Sequence, residues 1–124
     1  EVPARCRLAE TVRETMEWCR RESAWEKTVD RVLARYQGMS GVHTLNNGAL
    51  TIAGLMYGRG HFGRTIGLTV SAGLDTDCTG ATAGSVLGAL LGAKRLPPRW
   101  RDPLGKSAAT YLIGHRRFHH DVVV

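Results

Sequence analysis

Asp75 and Asp77 stand one residue apart in the run Gly73-Leu74-Asp75-Thr76-Asp77-Cys78-Thr79-Gly80-Ala81-Thr82-Ala83-Gly84, where a helix of small residues follows them at once. Paired carboxylates with neighbouring hydroxyls are the donors that a hard divalent cation such as Mg2+ prefers. Glycine then recurs at every fourth position, at Gly80, Gly84, Gly88 and Gly92. A glycine inside a helix costs about 1 kcal/mol relative to alanine, so four on one face imply a helix backbone pressed against a neighbour or a ligand. The other account of the two aspartates is capping: acidic residues at a helix N-terminus satisfy its N–H groups and complement its dipole. On spacing alone capping is the simpler account, and one carboxylate can cap with one oxygen while binding a metal with the other.

Two upstream segments bear on the choice. Val42-His43-Thr44-Leu45-Asn46-Asn47-Gly48-Ala49 places polar residues at the start of a helix, where N–H groups suit a diphosphate and Asn side chains suit ribose hydroxyls. Gly60-His61-Phe62 opens the next helix. His43, Thr44 and Asn46 serve equally well as N-cap and structural hydrogen-bonding groups on this reading.

Taken together, the Gly-x-Asp-Thr-Asp-x-x-Gly-Ala-x-x-Gly-x-x-x-Gly-Ala-x-x-Gly pattern and these upstream segments resemble the C-terminal signature of the ADP-ribosylglycohydrolase family, over roughly residues 40 to 100. The resemblance implies an all-α, compact multi-helix fold and Mg2+-dependent hydrolysis of the bond between ADP-ribose and an acceptor, either a protein side chain or a small molecule. It implies two Mg2+ ions in a complete site, with Mn2+ as the alternative ion. Asp75 and Asp77 are its metal ligands, helped by Thr76, Cys78 and Thr79. His43, Thr44 and Asn46 border the ADP-ribose pocket, and Gly73 and Leu74 line it by adjacency. The expected partners are ADP-ribose or an ADP-ribosylated protein.

The same resemblance exposes two departures. The family's second acidic cluster, which supplies the remaining carboxylates and the general acid or base, has no counterpart in these residues. The catalytic residues are therefore expected in an N-terminal part of the same protein, and residues 1–124 are read as the C-terminal part of a single domain, inactive alone. Cys78 stands where many members carry a metal-ligating threonine, and a thiol is a poor partner for a hard cation. This invites an alternative, a catalytically silent family member that binds ADP-ribose.

The elements that position these residues read as helical. Leu8, Val12, Thr15 or Met16, and Cys19 recur at three- and four-residue steps and predict a first helix over 4–21. Ser23 with Glu26 predicts a capping box before a second helix carrying Trp25, Val29, Val32 or Leu33, and Tyr36, ended at Gly38. A loop over 39–44 leads to a third helix with Leu45, Ala49, Ile52 or Ala53, and Met56, closed at Gly58. Phe62, Ile66 and Val70 mark a fourth, stopped at Gly73. The fifth follows the aspartates and ends before Pro97-Pro98, with Val86, Leu87, Leu90 and Leu91 opposite its glycines, a buried composition. A last helix is predicted from Ser107 to the chain end, with Ala108, Tyr111, Leu112, His115 and Phe118 inward.

Length and composition set outer limits. The 124 residues suit one modest core; the start at Glu1 without methionine and the apolar Val122-Val123-Val124 fit a piece of something larger. Seventeen Lys and Arg against eleven Asp and Glu give +6, read as a solvated surface with basic residues scattered, so nucleic acid is not expected as a partner; a basic helical nucleic-acid-binding domain is the third reading. Three cysteines, Cys6, Cys19 and Cys78, without Cys-x-x-Cys spacing oppose a disulfide framework or a zinc ribbon and fit a reducing cytoplasm. No stretch reads as a signal or membrane span. His115 and His119 lack a third metal ligand, and Trp18, Trp25 and Trp100 read as packing residues.

Overall fold

A computed structural model describes residues 3–105, together with the backbone of 107–109 and 117–119. The fold is all-α, and the chain divides into two compact units, Glu1–Leu87 and Gly88–Val124.

The first unit is built around α3 (Thr44–Gly58), which packs against α1 (Arg7–Arg21), α2 (Trp25–Arg35) and α4 (Phe62–Ser71). Such a helix must be apolar on nearly all sides, and α3 buries Leu45, Ala49, Leu50, Ala53 and Tyr57. Its partners need apolar stripes only: Val29, Val32 and Tyr36 come from α2 to meet Leu45, Ala49 and Leu50, with Leu8, Trp18, Trp25 and Met39 packed around them. The packing roles read for Trp18 and Trp25 are borne out. Two tyrosine hydroxyls in this core are tied off by hydrogen bonds. Tyr36 Oη and Thr11 Oγ1 lie 2.7 Å apart, and Tyr57 Oη donates to the Glu22 carbonyl at 2.8 Å.

Helices α3 and α4 approach closely, and glycine makes the approach possible. A Cβ on Gly54 would lie 1.8 Å from Thr69 Oγ1, and one on Gly58 would lie 1.8 Å from Thr65 Oγ1. The α4 threonines thus occupy grooves that only glycine leaves open.

Three expectations are corrected. The predicted capping box does not form: α2 begins at Trp25 with Ala24 as N-cap and no side-chain cap. The link over 22–24 is too short for Ser23 to reach that position, and Glu22 is the C-cap of α1, its carboxylate taken by Arg31. The fifth helix, α5 (Thr76–Leu91), is not wholly buried. Leu87 is inside, but Val86 and Leu90 are 47% and 64% exposed. Its glycines divide likewise: a Cβ on Gly80 would meet Val70 Cγ2 at 3.0 Å and one on Gly84 would meet Ile66 Cδ1 at 3.4 Å, whereas Gly88 and Gly92 face open space.

The third correction lies in the second unit. After α5 come a 3-10 turn (Ala93–Arg95), the short α6 (Pro98–Arg101) and a second 3-10 turn (Asp102–Leu104). The expected last helix gives way to β1 (Ser107–Ala109) paired antiparallel with β2 (Arg117–His119), Ala108 opposite Phe118. Gly105, at φ 66°, turns the chain out of helical geometry just before β1. The inward positions expected of Tyr111, Leu112 and His115, and the valines at the chain end, lie outside the described residues. Among the described residues, no helix is long and apolar enough to cross a membrane.

Candidate functional site

The Asp75 loop is made by two successive residues in left-handed conformation, Gly73 at φ 84° and Leu74 at φ 58°. Glycine enters this region freely, whereas leucine does so at a cost of roughly 1–2 kcal/mol. The pair reverses the chain after α4 and starts α5 beside the N-terminus of α3. Leu74 then lies against the 40–44 loop, its Cδ2 3.9 Å from where a Cβ on Gly41 would sit.

Asp75 caps α5. Its Oδ1 accepts the N–H of Cys78 at 3.4 Å, and its carbonyl takes the N–H of Thr79 at 3.0 Å. The capping account of Asp75 is therefore realised. Asp77 stands in the first turn of the helix and is exposed. The Asp75 carboxylate also hydrogen-bonds the Cys78 thiol; this bond and the adjacent negative charge raise the thiol's pKa above its ordinary value. Thr79 is buried and donates its hydroxyl to the Thr76 carbonyl at 3.4 Å.

The α3 loop is held from within. His43 is the N-cap itself, its Nδ1 accepting the Leu45 N–H at 3.1 Å, so that in the neutral ring the proton sits on Nε2. Asn46 is buried, donating to the Ser40 carbonyl at 2.9 Å and accepting the Asn47 N–H at 2.8 Å. Asn47 joins the two loops. Its Nδ2 donates to the carbonyls of Gly41 and His43 at 2.8 and 3.0 Å, while its Oδ1 accepts the backbone N–H of Asp75 at 3.1 Å.

Between α3 and α5 lies a cavity of about 470 Å³. Of the residues expected at the site, Thr44, Asp75, Cys78 and Thr79 line it. His43, Asn46, Gly73 and Leu74 shape the two loops behind it, and Thr76 and Asp77 lie on the helix start beside it. Asn47, from the run read as the pocket border, lines it too, with Val42 and Gly48; Thr51, Ile52 and Leu55 from α3, and Thr82 and Val86 from α5, were not anticipated. The sequence does carry the signal, since Asn47, Thr51 and Leu55 are spaced by four, as are Cys78, Thr82 and Val86, the pattern of two facing helical stripes.

The donor set fits part of a site for an oxygen-seeking dication. Asp75 offers an oxygen, Asp77 offers an exposed carboxylate within one helical turn, and the Cys78 thiol is engaged as a donor to Asp75. Among the described residues, no group of three His, Cys, Asp or Glu side chains is gathered to hold a metal.

No curated protein and no solved structure matches the chain. The family model described as ADP-ribosylglycohydrolase matches residues 2–121. An all-α frame carrying an Asp-x-Asp helix start against an Asn-rich helix N-terminus is thus accounted for by descent, and the chain belongs to the ADP-ribosylglycohydrolase family.

Proposed function

We propose that the protein hydrolyses the glycosidic bond between ADP-ribose and an acceptor in a Mg2+-dependent reaction, and that this chain supplies Asp75 and Asp77 as half of a binuclear metal site. The observation that carries the reading is the double engagement of Asn47: one buried amide holds the His43 loop and the Asp75 backbone together at the edge of a single cavity. A capping role alone would not require that tie.

In this reading Asp75 and Asp77 hold the metal, and Thr44 with the neighbouring His43, Asn46, Gly73 and Leu74 borders the nucleotide. When bound, Mg2+ supplies positive charge that orients the ribose hydroxyls and stabilises the developing negative charge. Asn47 keeps the Asp75 backbone in register with the α3 loop, so that ligand and pocket border move as one. The bond from C1 of the ribose to the acceptor breaks, water delivers its oxygen to C1, and its proton leaves with the acceptor. The proton transfers fall to a carboxylate from a preceding part of the same protein, which also completes the metal site. Residues 1–124 alone do not turn over. The three free cysteines, Cys6, Cys19 and Cys78, support a reducing compartment, the cytoplasm, as the setting of this reaction.

The test is release of free ADP-ribose from an ADP-ribosylated protein by the protein that contains this chain, with and without Mg2+, with Asp75→Asn and Asp77→Asn alongside. Release that needs both the metal and the two carboxylates is the expected result. A second reading, a silent ADP-ribose binder, is favoured by one observation: a cysteine, Cys78, whose thiol is a poor partner for a hard cation, lines the cavity beside Asp75. Saturable metal-independent binding of ADP-ribose without release would establish it in place of the first.

A further inference from the structure

The chain's positive charge is segregated. The Gly88–Val124 unit holds seven of the 17 Lys and Arg but only two acids, Asp102 and Asp121, and so carries +5 of the total +6. The Glu1–Leu87 unit is nearly neutral, and three of its arginines are paired with carboxylates: Arg21 with Glu17, Arg31 with Glu22, Arg35 with Glu14 and Glu10. Unbalanced charge in a small unit opposes its own compaction, so its concentration calls for a compensating anion.

Within the described part of that unit, four basic residues, Lys94, Arg95, Arg99 and Arg101, stand within six residues of Trp100 in the sequence. Lys94, Arg95 and Arg99 are exposed, and Arg101 is half-buried. Arg95 is spent on the end of α5, donating to the carbonyls of Leu91 and Leu90 at 2.9 and 3.1 Å. The Arg99 guanidinium lies 5.9 Å from the centroid of the Trp100 ring, and Trp100 is 38% exposed. Arg101 is held by Asp102 at 2.9 Å. Cations flanking an accessible indole form the combination that accepts a phosphate chain and stacks its bases. A membrane surface fits less well, because α6 spans only Pro98–Arg101 and offers no amphipathic face of the length that interfacial helices use.

We propose that the Gly88–Val124 unit binds single-stranded nucleic acid, with Lys94, Arg99 and Arg101 on phosphates and Trp100 as the stacking face for a base. This surface is independent of the hydrolase reading, and Asp75→Asn leaves its binding unchanged.

The experiment is fluorescence anisotropy of a labelled single-stranded oligonucleotide of about 12 nucleotides titrated with the full chain. With three cations on phosphates, log affinity falls against log salt with a slope of about −2, a loss of about twentyfold between 50 and 200 mM. Trp100→Ala weakens binding roughly tenfold, and Arg99→Glu with Arg101→Glu weakens it further, while circular dichroism shows the helices retained. Asp102→Asn, which releases Arg101, strengthens binding several-fold, an outcome that misfolding cannot imitate. No saturable binding at low salt, or binding indifferent to Trp100 and Asp102, would overturn the proposal. So would binding to phosphatidylserine-containing vesicles with none to the oligonucleotide.

Discussion

Asn47 Oδ1 accepts the backbone N–H of Asp75 at 3.1 Å, across 28 residues of sequence, while the same side chain donates to Gly41 and His43. One amide thus satisfies three backbone groups on two loops. Each loop is otherwise held only locally: the α3 entry by His43 and Asn46, the α5 entry by the Asp75 cap. The position of Asp75 relative to Thr44 depends on this side chain.

Asn47→Ala is accordingly expected to strand three polar groups at a largely buried position and to cost about 3 kcal/mol, read as a lowered urea midpoint. Asn47→Asp is the sharper variant. It keeps an acceptor for the Asp75 N–H but turns a donor into an acceptor facing two carbonyls, and it adds a charge that is costly to bury. It should destabilise at least as much as alanine. If either variant unfolds within about 0.5 kcal/mol of the parent, the range of an ordinary surface change, Asn47 is not the tie between the loops.

The meeting of Gly58 and Thr65 supports a second expectation. Gly58→Ala brings a methyl to 1.8 Å from Thr65 Oγ1 and 2.8 Å from the Thr65 backbone, so α3 and α4 must separate. A cost of about 3 kcal/mol or more follows, at the upper end for overpacking. Thr65 Oγ1 is buried with no hydrogen-bond partner, so Thr65→Ala removes a polar atom that gains nothing from burial. Combined with Gly58→Ala it should recover part of the loss, though not all, because the methyl still presses on the backbone of residue 65. A double-mutant cycle on denaturant midpoints measures the coupling, and strict additivity would show that the two residues do not meet as described.

Helices α1 to α4 were legible because each follows a three- and four-residue apolar period that burial enforces, and the start of α5 was legible because Asp75 and Asp77 are residue types that a helix N-terminus favours. The loop geometry was not. Leu74 in left-handed conformation cannot be read from its type, since the surrounding structure imposes it. Asn47 passed as one more polar residue because its partner Asp75 is 28 residues away. Burial of α5 was overread: small residues permit close packing but do not supply the neighbour, and α4 covers only the Gly80 and Gly84 end. Charge looked scattered because position along the chain was judged without the division at Leu87.

Cys78 gives the last expectation. It is exposed, yet the hydrogen bond to Asp75 and the carboxylate charge raise its pKa. Because the thiolate is the reactive form, a raised pKa leaves less of it in mildly alkaline buffer, so iodoacetamide should modify Cys78 more slowly than exposure alone implies. Asp75→Asn removes the carboxylate charge and leaves the thiol only a weaker amide acceptor, so it lowers the pKa toward its ordinary value and should speed modification several-fold, measured by mass spectrometry of the Cys78 peptide. Cys19 serves as the internal contrast. Burial pushes its thiol up to about 11, and Asp75 is not among the causes, so its slow labelling should not respond to Asp75→Asn. Its sign in stability is also fixed: the folded state holds the proton more tightly, so the contribution is complete below the ordinary thiol value of 9.0 and is lost as pH rises through about 11. Cys19→Ala should flatten the stability profile across that window, and equal acceleration of both thiols by Asp75→Asn would mean general loosening rather than the local bond.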